Sequence, residues 1–111
     1  MGNLVDVDAA LEELGLDKED FVEFSQDLKE FSEENIPKID ECIKNSDYQA
    51  LKEAAHSIKG AMANLRFVEV ASIAYKLETI GHDGSGMEDA AGIFDQLKQC
   101  IADSFAEIDK L

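Results

Sequence analysis

The sequence predicts an all-α fold, namely an antiparallel, up-down four-helix bundle with a short extra helix at the N-terminus. Apolar residues recur at the three- and four-residue spacing of amphipathic helices along most of the 111-residue chain. The chain contains 1 proline, and no segment alternates apolar and polar residues as half-buried strands do. Short connections join the long helical segments, which favours antiparallel packing of neighbouring helices.

The first two predicted helices have clear start and stop signals. A short helix fits residues 8–14, and Gly15 ends it because glycine readily adopts the left-handed conformation found at helix C-termini. Asp17 is placed to cap the second helix, with Asp20 favourable in the first turn. Pro37 lies within this second helix and is predicted to kink or break it.

The later helices are delimited by capping patterns and glycines. Ser46 with Gln49, and Ser85 with Glu88, match the capping box that opens a helix, and they predict the starts of the third and last helices. The glycines of the sequence GHDGSG predict a loop before the last helix.

Each predicted helix has one apolar face that should form the core of the bundle. The third helix is predicted to end near Leu65, and the fourth to run from about Val68 to Ile80. The predicted core positions are Val7, Leu11 and Leu14; Phe21, Phe24, Leu28, Phe31, Ile36, Ile39 and Ile43; Leu51, Ala54, Ala55, Ile58, Ala61, Met62 and Leu65; Val70, Ile73, Ala74 and Leu77; and Ile93, Phe94, Leu97, Ile101, Phe105 and Ile108.

Length and composition predict one globular domain over residues 1–111, without repeats or linkers. The net charge of −15 argues against nucleic acid or an anionic membrane surface as a partner. No apolar run has the length of a membrane span, and no signal-peptide pattern opens the chain, so we predict a cytoplasmic location. We also predict that the protein is a monomer. Cys42 and Cys100 occupy apolar-periodic positions, which favours buried free thiols over a disulfide.

One histidine of the third helix is predicted to face water. On a helical wheel, His56 points roughly 160° from the middle of the apolar sector. Its neighbours one turn away and beyond are Gly60 and Ala63, which have the smallest side chains. Glycine costs roughly 1 kcal/mol relative to alanine inside a helix, so Gly60 suggests that a large group must approach the imidazole closely.

Basic residues accompany this histidine in a strongly acidic chain. Lys52, Lys59 and Arg66 follow one another at seven-residue intervals and are predicted to form a positive stripe. A neutral imidazole can act as a nucleophile at physiological pH, and the clearance and positive charge together suit an anionic phosphoryl group.

A carboxylate partner for the imidazole is expected on the fourth helix. In an antiparallel hairpin with its turn near residues 66–67, His56 and Glu78 should lie at similar heights. A hydrogen bond from one imidazole nitrogen to Glu78 would set the tautomer and leave the other nitrogen free to attack.

Simpler interpretations stay open from the residues alone. An isolated exposed histidine, a lysine-bearing face and a surface glutamate usually have no chemical role. Glu53 and His56 form the Glu-x-x-His pattern of di-iron bundles, but that site needs two such motifs facing inward and this chain has one. A bundle that only binds other proteins is the remaining alternative. His82 is predicted to be a solvated loop residue.

The sequence resembles the histidine-containing phosphotransfer (Hpt) domain of two-component signalling. The resemblance is carried by AAHSIKGAMANLRF and ASIAYKLE, and it extends to VDVDAALEELGLDKEDF and NSDYQALKEAAH. It implies that His56 is phosphorylated, that Lys59 lies near the phosphoryl group, and that Gly60 leaves room for a receiver domain. It also implies that Glu78 orients the imidazole. Many members have glycine where this chain has Arg66, which leaves the shape of the following turn open.

The predicted function is therefore phosphoryl carriage on His56 between proteins. Lys52, Ala63 and Arg66 are predicted to border the docking surface. The expected partners are a sensor histidine kinase or its receiver domain, and the receiver domain of a response regulator. No phosphate-binding glycine-rich loop is present in the sequence, so the chain should use no nucleotide or other cofactor and no metal of its own, and should not phosphorylate itself.

Overall fold

A computed structural model describes residues 4–111, and within that range the chain forms five α-helices and no strand. The last four helices pack in sequence, each on the next, and the last also packs on the first of the four to close the bundle. The predicted fold class is confirmed. No helix in this range is both long enough and apolar enough to cross a bilayer. The helices are α1 (Val7–Leu14), α2 (Lys18–Lys44), α3 (Tyr48–Asn64), α4 (Val68–Asp83) and α5 (Met87–Asp109).

The end of α1 and the start of α2 follow the predicted signals. Asp6 caps α1 by accepting a hydrogen bond from the backbone N–H of Ala9 at 3.1 Å. Gly15 ends this helix in the left-handed conformation, with φ of 67°. Asp17 caps α2 by accepting from the backbone N–H of Asp20 at 2.9 Å, as predicted.

Both predicted capping boxes are wrong. The cap of α3 is Asp47, which accepts from the backbone N–H of Ala50 at 3.1 Å, while Ser46 lies in the preceding turn with φ of 50°. A carboxylate is a stronger acceptor at the positive end of a helix than a hydroxyl, which favours Asp47. The cap of α5 is Gly86, which has no side chain to accept a hydrogen bond, and the backbone N–H of Met87 donates instead to the Tyr48 hydroxyl at 3.4 Å.

The fourth helix is longer than predicted. It continues three residues past Ile80 to Asp83, and left-handed Gly84 closes it by donating its N–H to the Ile80 carbonyl at 3.1 Å. His82 therefore lies in the last turn of α4 and not in a loop. The glycine-rich sequence that predicts a loop misleads here because its first glycine, Gly81, has a packing role within the helix.

Pro37 does not break α2, which runs through it without interruption. Proline leaves the carbonyl of residue i−4 without its helical partner, and this carbonyl belongs to Glu33. Both Pro37 and Glu33 are exposed, so water can satisfy that carbonyl. Packing of buried Leu28 and Ile39 on either side holds the helix together across the missing bond.

Most predicted core positions are buried or half-buried, but two are wrong. Leu14 of α1 and Phe24 of α2 are exposed, while Ser25 and Ser32 are buried on the inner face of α2. Burying a hydroxyl requires a partner, and Ser25 donates to the Phe21 carbonyl at 2.6 Å. The periodicity is sound, but serine at core positions shifts the face that the apolar residues alone indicate.

Cys42 and Cys100 are buried free thiols, as predicted. Burial raises the pKa of both thiols above the ordinary value, so both stay protonated at neutral pH. They therefore behave as small apolar core residues.

Helices α3 and α4 approach each other very closely at Gly81. A Cβ atom at this position would lie 2.6 Å from the backbone nitrogen of Lys52 and 2.7 Å from the carbonyl oxygen of Tyr48. Backbone atoms cannot move aside without displacing the helix that carries them. Gly81 therefore sets the distance between the two helices that form the candidate site.

We expect Gly81→Ala to destabilise the protein despite the better helix propensity of alanine. Overpacking costs about 1–3 kcal/mol, here near the upper end because the clash is with backbone, and the gain in propensity is about 1 kcal/mol. A net loss of about 2 kcal/mol in the free energy of unfolding should lower the melting temperature by roughly 10 °C. Thermal melting followed by circular dichroism measures this.

Gly92 provides the matched control. It is an exposed helical glycine in α5 with no heavy atom within 4 Å of a Cβ built on it. Gly92→Ala should therefore raise the free energy of unfolding by about 1 kcal/mol. The same direction of change in both variants would contradict the close-packing role of Gly81.

Candidate functional site

The candidate site lies on the outer face of the hairpin formed by α3 and α4. The turn between them is held by the N–H of Phe67, which donates to the Met62 carbonyl at 2.9 Å. The Phe67 side chain is fully buried and packs on Phe105 with ring centroids 5.1 Å apart. This anchor fixes the turn, so residues at equal distances from it on the two helices face each other.

His56 and Glu78 meet across this hairpin. The imidazole Nδ1 lies 2.7 Å from Oε2 of Glu78. The His56 side chain is 66% exposed, whereas that of Glu78 is only 15% exposed. The structure thus contains the contact that equal heights in the hairpin predict. Because the carboxylate only accepts, neutral His56 donates from Nδ1 and keeps an unprotonated Nε2.

The same carboxylate also binds Lys59. The Nζ atom of Lys59 lies 2.5 Å from Oε1 of Glu78, and the lysine side chain is 29% exposed. This hydrogen bond is the main reason that the pKa of Glu78 is lowered from its ordinary value; burial opposes the shift, and His56 adds to it. Glu78 therefore remains ionised at neutral pH and holds both the imidazole and the ammonium group.

The surface beside His56 is open at Gly60. No heavy atom lies within 4 Å of a Cβ built on Gly60, so no contact inside the protein requires glycine there. Gly81 on the facing helix is the opposite case, since its neighbours leave no room for a Cβ. Ala63, one turn further along α3, is exposed as well. The opening at Gly60 faces solvent and the imidazole, which is where an incoming group would have to approach.

The predicted stripe of three cations does not extend along the whole helix. Helix α3 ends at Asn64, and Arg66 adopts φ of 64° in the turn, which directs its backbone out of the helical path. Its guanidinium pairs with Glu13 of α1 and also donates to the Ala63 carbonyl at 2.8 Å. Arginine thus occupies a left-handed position that favours glycine, and its side-chain contacts offset part of the strain.

Lys52 lies at the other end of the site. It is half-buried where α3 meets Gly81, and it lines a shallow depression together with Glu78 and His82. The structure therefore brings His56, Lys59 and Glu78 into direct contact and leaves Gly60 open beside them. Lys52 and Arg66 lie at opposite ends of this group.

Tyr75 is a neighbour of the site that the sequence did not single out. The Nζ atom of Lys59 lies 5.1 Å from the centroid of its ring. A signal was present, because Tyr75 precedes Glu78 by three residues and so shares its face of α4. The lysine that reaches across from α3 could not be placed on that face without coordinates.

Glu53 does not join the site. It is exposed, and its carboxylate accepts a hydrogen bond from Gln49 at 3.1 Å. Among residues 4–111 there is no group of three or more histidine, cysteine, aspartate or glutamate side chains arranged to hold a metal ion.

Comparison with models of known protein families assigns this chain to a family. The family model described as Hpt domain matches residues 23–107, which is most of the chain and includes all of α3 and α4. The chain belongs to the Hpt domain family. The resemblance seen in the sequence is thereby confirmed, and the chain has a phosphotransfer-type role in two-component signalling. A search of curated proteins finds no match.

The N-terminal part of this Hpt domain lies before the matched range. Helix α1 and the first residues of α2 precede residue 23. The segment before α1 is nevertheless tied to the bundle, because the N–H of Asp6 donates to the Arg66 carbonyl at 2.9 Å. Helix α1 contacts the same turn, because Glu13 pairs with Arg66. Hpt domains interact with kinases and response regulators in phosphorelays.

We expect Glu78→Ala in this Hpt domain to slow phosphorylation about tenfold while helical content stays unchanged. Losing the group that sets the imidazole tautomer typically costs 10–100-fold in metal sites, and the lower end fits an exposed imidazole. Transfer rates should be measured beside nitrogen NMR spectra of His56, which should show loss of the Nδ1–H tautomer.

Glu69→Ala is the matched control, because it removes the same charge from an exposed position on the same helix. Its transfer rate should equal that of the wild type. An unchanged rate in Glu78→Ala would mean that Glu78 is only a surface charge.

Proposed function

We propose that this Hpt domain carries a phosphoryl group on Nε2 of His56 and passes it between signalling proteins. The observation that carries the proposal is the arrangement at His56. The imidazole is exposed, its Nδ1 lies against a carboxylate that is ionised at neutral pH, and Gly60, four residues along the same helix, leaves open space on this face. A histidine buried for packing would show neither the exposure nor the opening.

The chemistry is an in-line transfer in which the donor protein supplies the activated phosphoryl group. The Nε2 lone pair attacks phosphorus, the Nε2–P bond forms, and the bond to the donor oxygen breaks so that the oxygen leaves with its electron pair. When the donor is a receiver domain, the leaving group is its aspartate carboxylate. The reverse step delivers the phosphoryl group to an aspartate of the acceptor.

Each neighbour has a role in this transfer that follows from charge. With Nδ1 still protonated, the imidazole ring becomes positive once Nε2 is phosphorylated, and Glu78 stabilises that charge. Lys59, already beside Glu78, supplies a cation to the phosphoryl oxygens. Gly60 admits the partner, and Lys52, Ala63 and Arg66 border the docking surface.

The proposed partners are a sensor histidine kinase or its receiver domain, and the receiver domain of a response regulator. We propose that the chain acts as a cytoplasmic, monomeric, single Hpt domain that uses no cofactor, metal or nucleotide site of its own and binds neither nucleic acid nor membranes. The second candidate, a bundle that only binds other proteins, has one supporting feature. The exposed aromatic ring of Tyr75 beside the site would suit a docking surface whether or not phosphate is transferred.

Incubation with phosphodonor proteins and mapping of the label tests the proposal. We expect acid-labile, base-stable phosphate, the signature of phosphohistidine, on His56 and none on His82. His82 is a fair internal comparison because it is also an exposed histidine on an α-helix. Binding to the donors without any label would favour the interaction-only bundle.

A further inference from the structure

Lys59 is held between two groups on α4. Its ammonium lies 2.5 Å from Oε1 of Glu78 on one side and 5.1 Å from the centre of the Tyr75 ring on the other. A lysine on a helix surface usually samples many rotamers in water, whereas the Lys59 ammonium contacts both of these groups and shares Glu78 with the imidazole.

Tyr75 is unusual in its own setting. It is 59% exposed and is the largest exposed side chain among the large hydrophobic residues of α4. Its neighbours on the outer side of the helix, Ser72, Lys76 and Thr79, are polar. An aromatic ring left in water contributes little to the core, so its contact with Lys59 is the interaction that the structure offers as an explanation.

The four side chains form two pairs with helical spacing. His56 and Lys59 are three residues apart on α3, and Tyr75 and Glu78 are three residues apart on α4. Glu78 joins both residues of the first pair, and the Tyr75 ring lies against the lysine. Lys59 therefore connects Tyr75 to the carboxylate that holds the imidazole.

We propose that Tyr75 is a positioning residue that keeps the Lys59 ammonium beside the phospho-accepting nitrogen. The inference rests on the proposed function. An aromatic face attracts a cation through the quadrupole of the ring but carries no net charge. A second carboxylate at this position would also hold Lys59, but it would repel the incoming phosphoryl group.

The neutral ring also leaves the ammonium free to change partners. In the unphosphorylated protein, Lys59 is bound to Glu78. When the phosphoryl oxygens arrive, the ammonium must turn from the carboxylate towards them, while Glu78 keeps the imidazole. The ring face retains the cation within reach during that exchange without competing for it as an anion would.

The test compares two substitutions of Tyr75 in two backgrounds. Tyr75→Leu should slow phosphoryl transfer to His56 roughly threefold, the size expected for an exposed cation–π contact, and Tyr75→Phe should restore most of the rate because it keeps the ring. In a Lys59→Met background, Tyr75→Leu should have no further effect, because the ring then has no ammonium group to hold. The two backgrounds together form a double-mutant cycle, which isolates the coupling between Tyr75 and Lys59.

A spectroscopic readout separates this inference from the proposed function. The ring current of Tyr75 should shift the Lys59 Hε protons upfield in the unphosphorylated protein, and Tyr75→Leu should abolish that shift. This measurement needs no phosphodonor, so it holds even if His56 proves not to accept phosphate. Transfer rates equally low in Tyr75→Leu and Tyr75→Phe, or a loss that persists in the Lys59→Met background, would overturn the positioning role.

Discussion

His56→Gln should remain folded and accept no phosphate at all. The side chain is 66% exposed and contributes nothing to the core, so the free energy of unfolding should change by no more than about 0.5 kcal/mol. Glutamine has a side-chain N–H that can still donate to Glu78, but it has no nucleophilic nitrogen lone pair. Label from a phosphodonor protein, read beside a thermal melt, measures both outcomes.

His82→Gln is the matched control for this substitution. It changes an exposed histidine on α4 and should leave label incorporation at the wild-type level. Label that persists in His56→Gln, or that disappears in His82→Gln, would show that the phosphorylated residue has been misassigned.

Gly60→Leu should produce effects of opposite sign on stability and on transfer. Leucine should raise the free energy of unfolding by roughly 0.8 kcal/mol through helix propensity, because open space surrounds the position. The same side chain would stand in the path of a receiver domain approaching His56. Displacing reacting groups by even 1 Å can cost on the order of 10²-fold in rate, and we expect a loss of that size.

Gly92→Leu separates the two effects. Gly92 is also helical and exposed with open space around it, but it lies on α5 and not on the α3–α4 hairpin that carries His56. This variant should be stabilised by a similar amount and transfer phosphate at the normal rate. Wild-type transfer in a stabilised Gly60→Leu protein would mean that Gly60 does not serve access, and the docking argument would fail.

The sequence predicts the role of one helical glycine of the hairpin, Gly60, but not that of the other, Gly81. Both are glycines within helices, and propensity treats them alike. The sequence interprets Gly60 correctly as a helical residue beside an outward histidine, but it assigns Gly81 to a loop. Only the backbone of α3, lying against Gly81, shows that this glycine is needed for helix packing.

Local rules determined much of this protein from its sequence alone. Apolar spacing defined the helices, because burial of one face dominates the stability of an amphipathic helix. The same spacing turned His56 outward, and a hairpin with a short turn brought Glu78 to its height. These features depend on periodicity and chain connectivity, which are both properties of sequence.

Tertiary structure alone decided where the long side chains go. Lysine and arginine have several rotatable bonds, so their positions depend on partners that are distant in sequence. Lys59 turned to Glu78 and Tyr75, and Arg66 left the predicted stripe to pair with Glu13. Helical periodicity places a Cα and a Cβ on a face, but the charged end of a flexible side chain settles only where the folded chain supplies its partner.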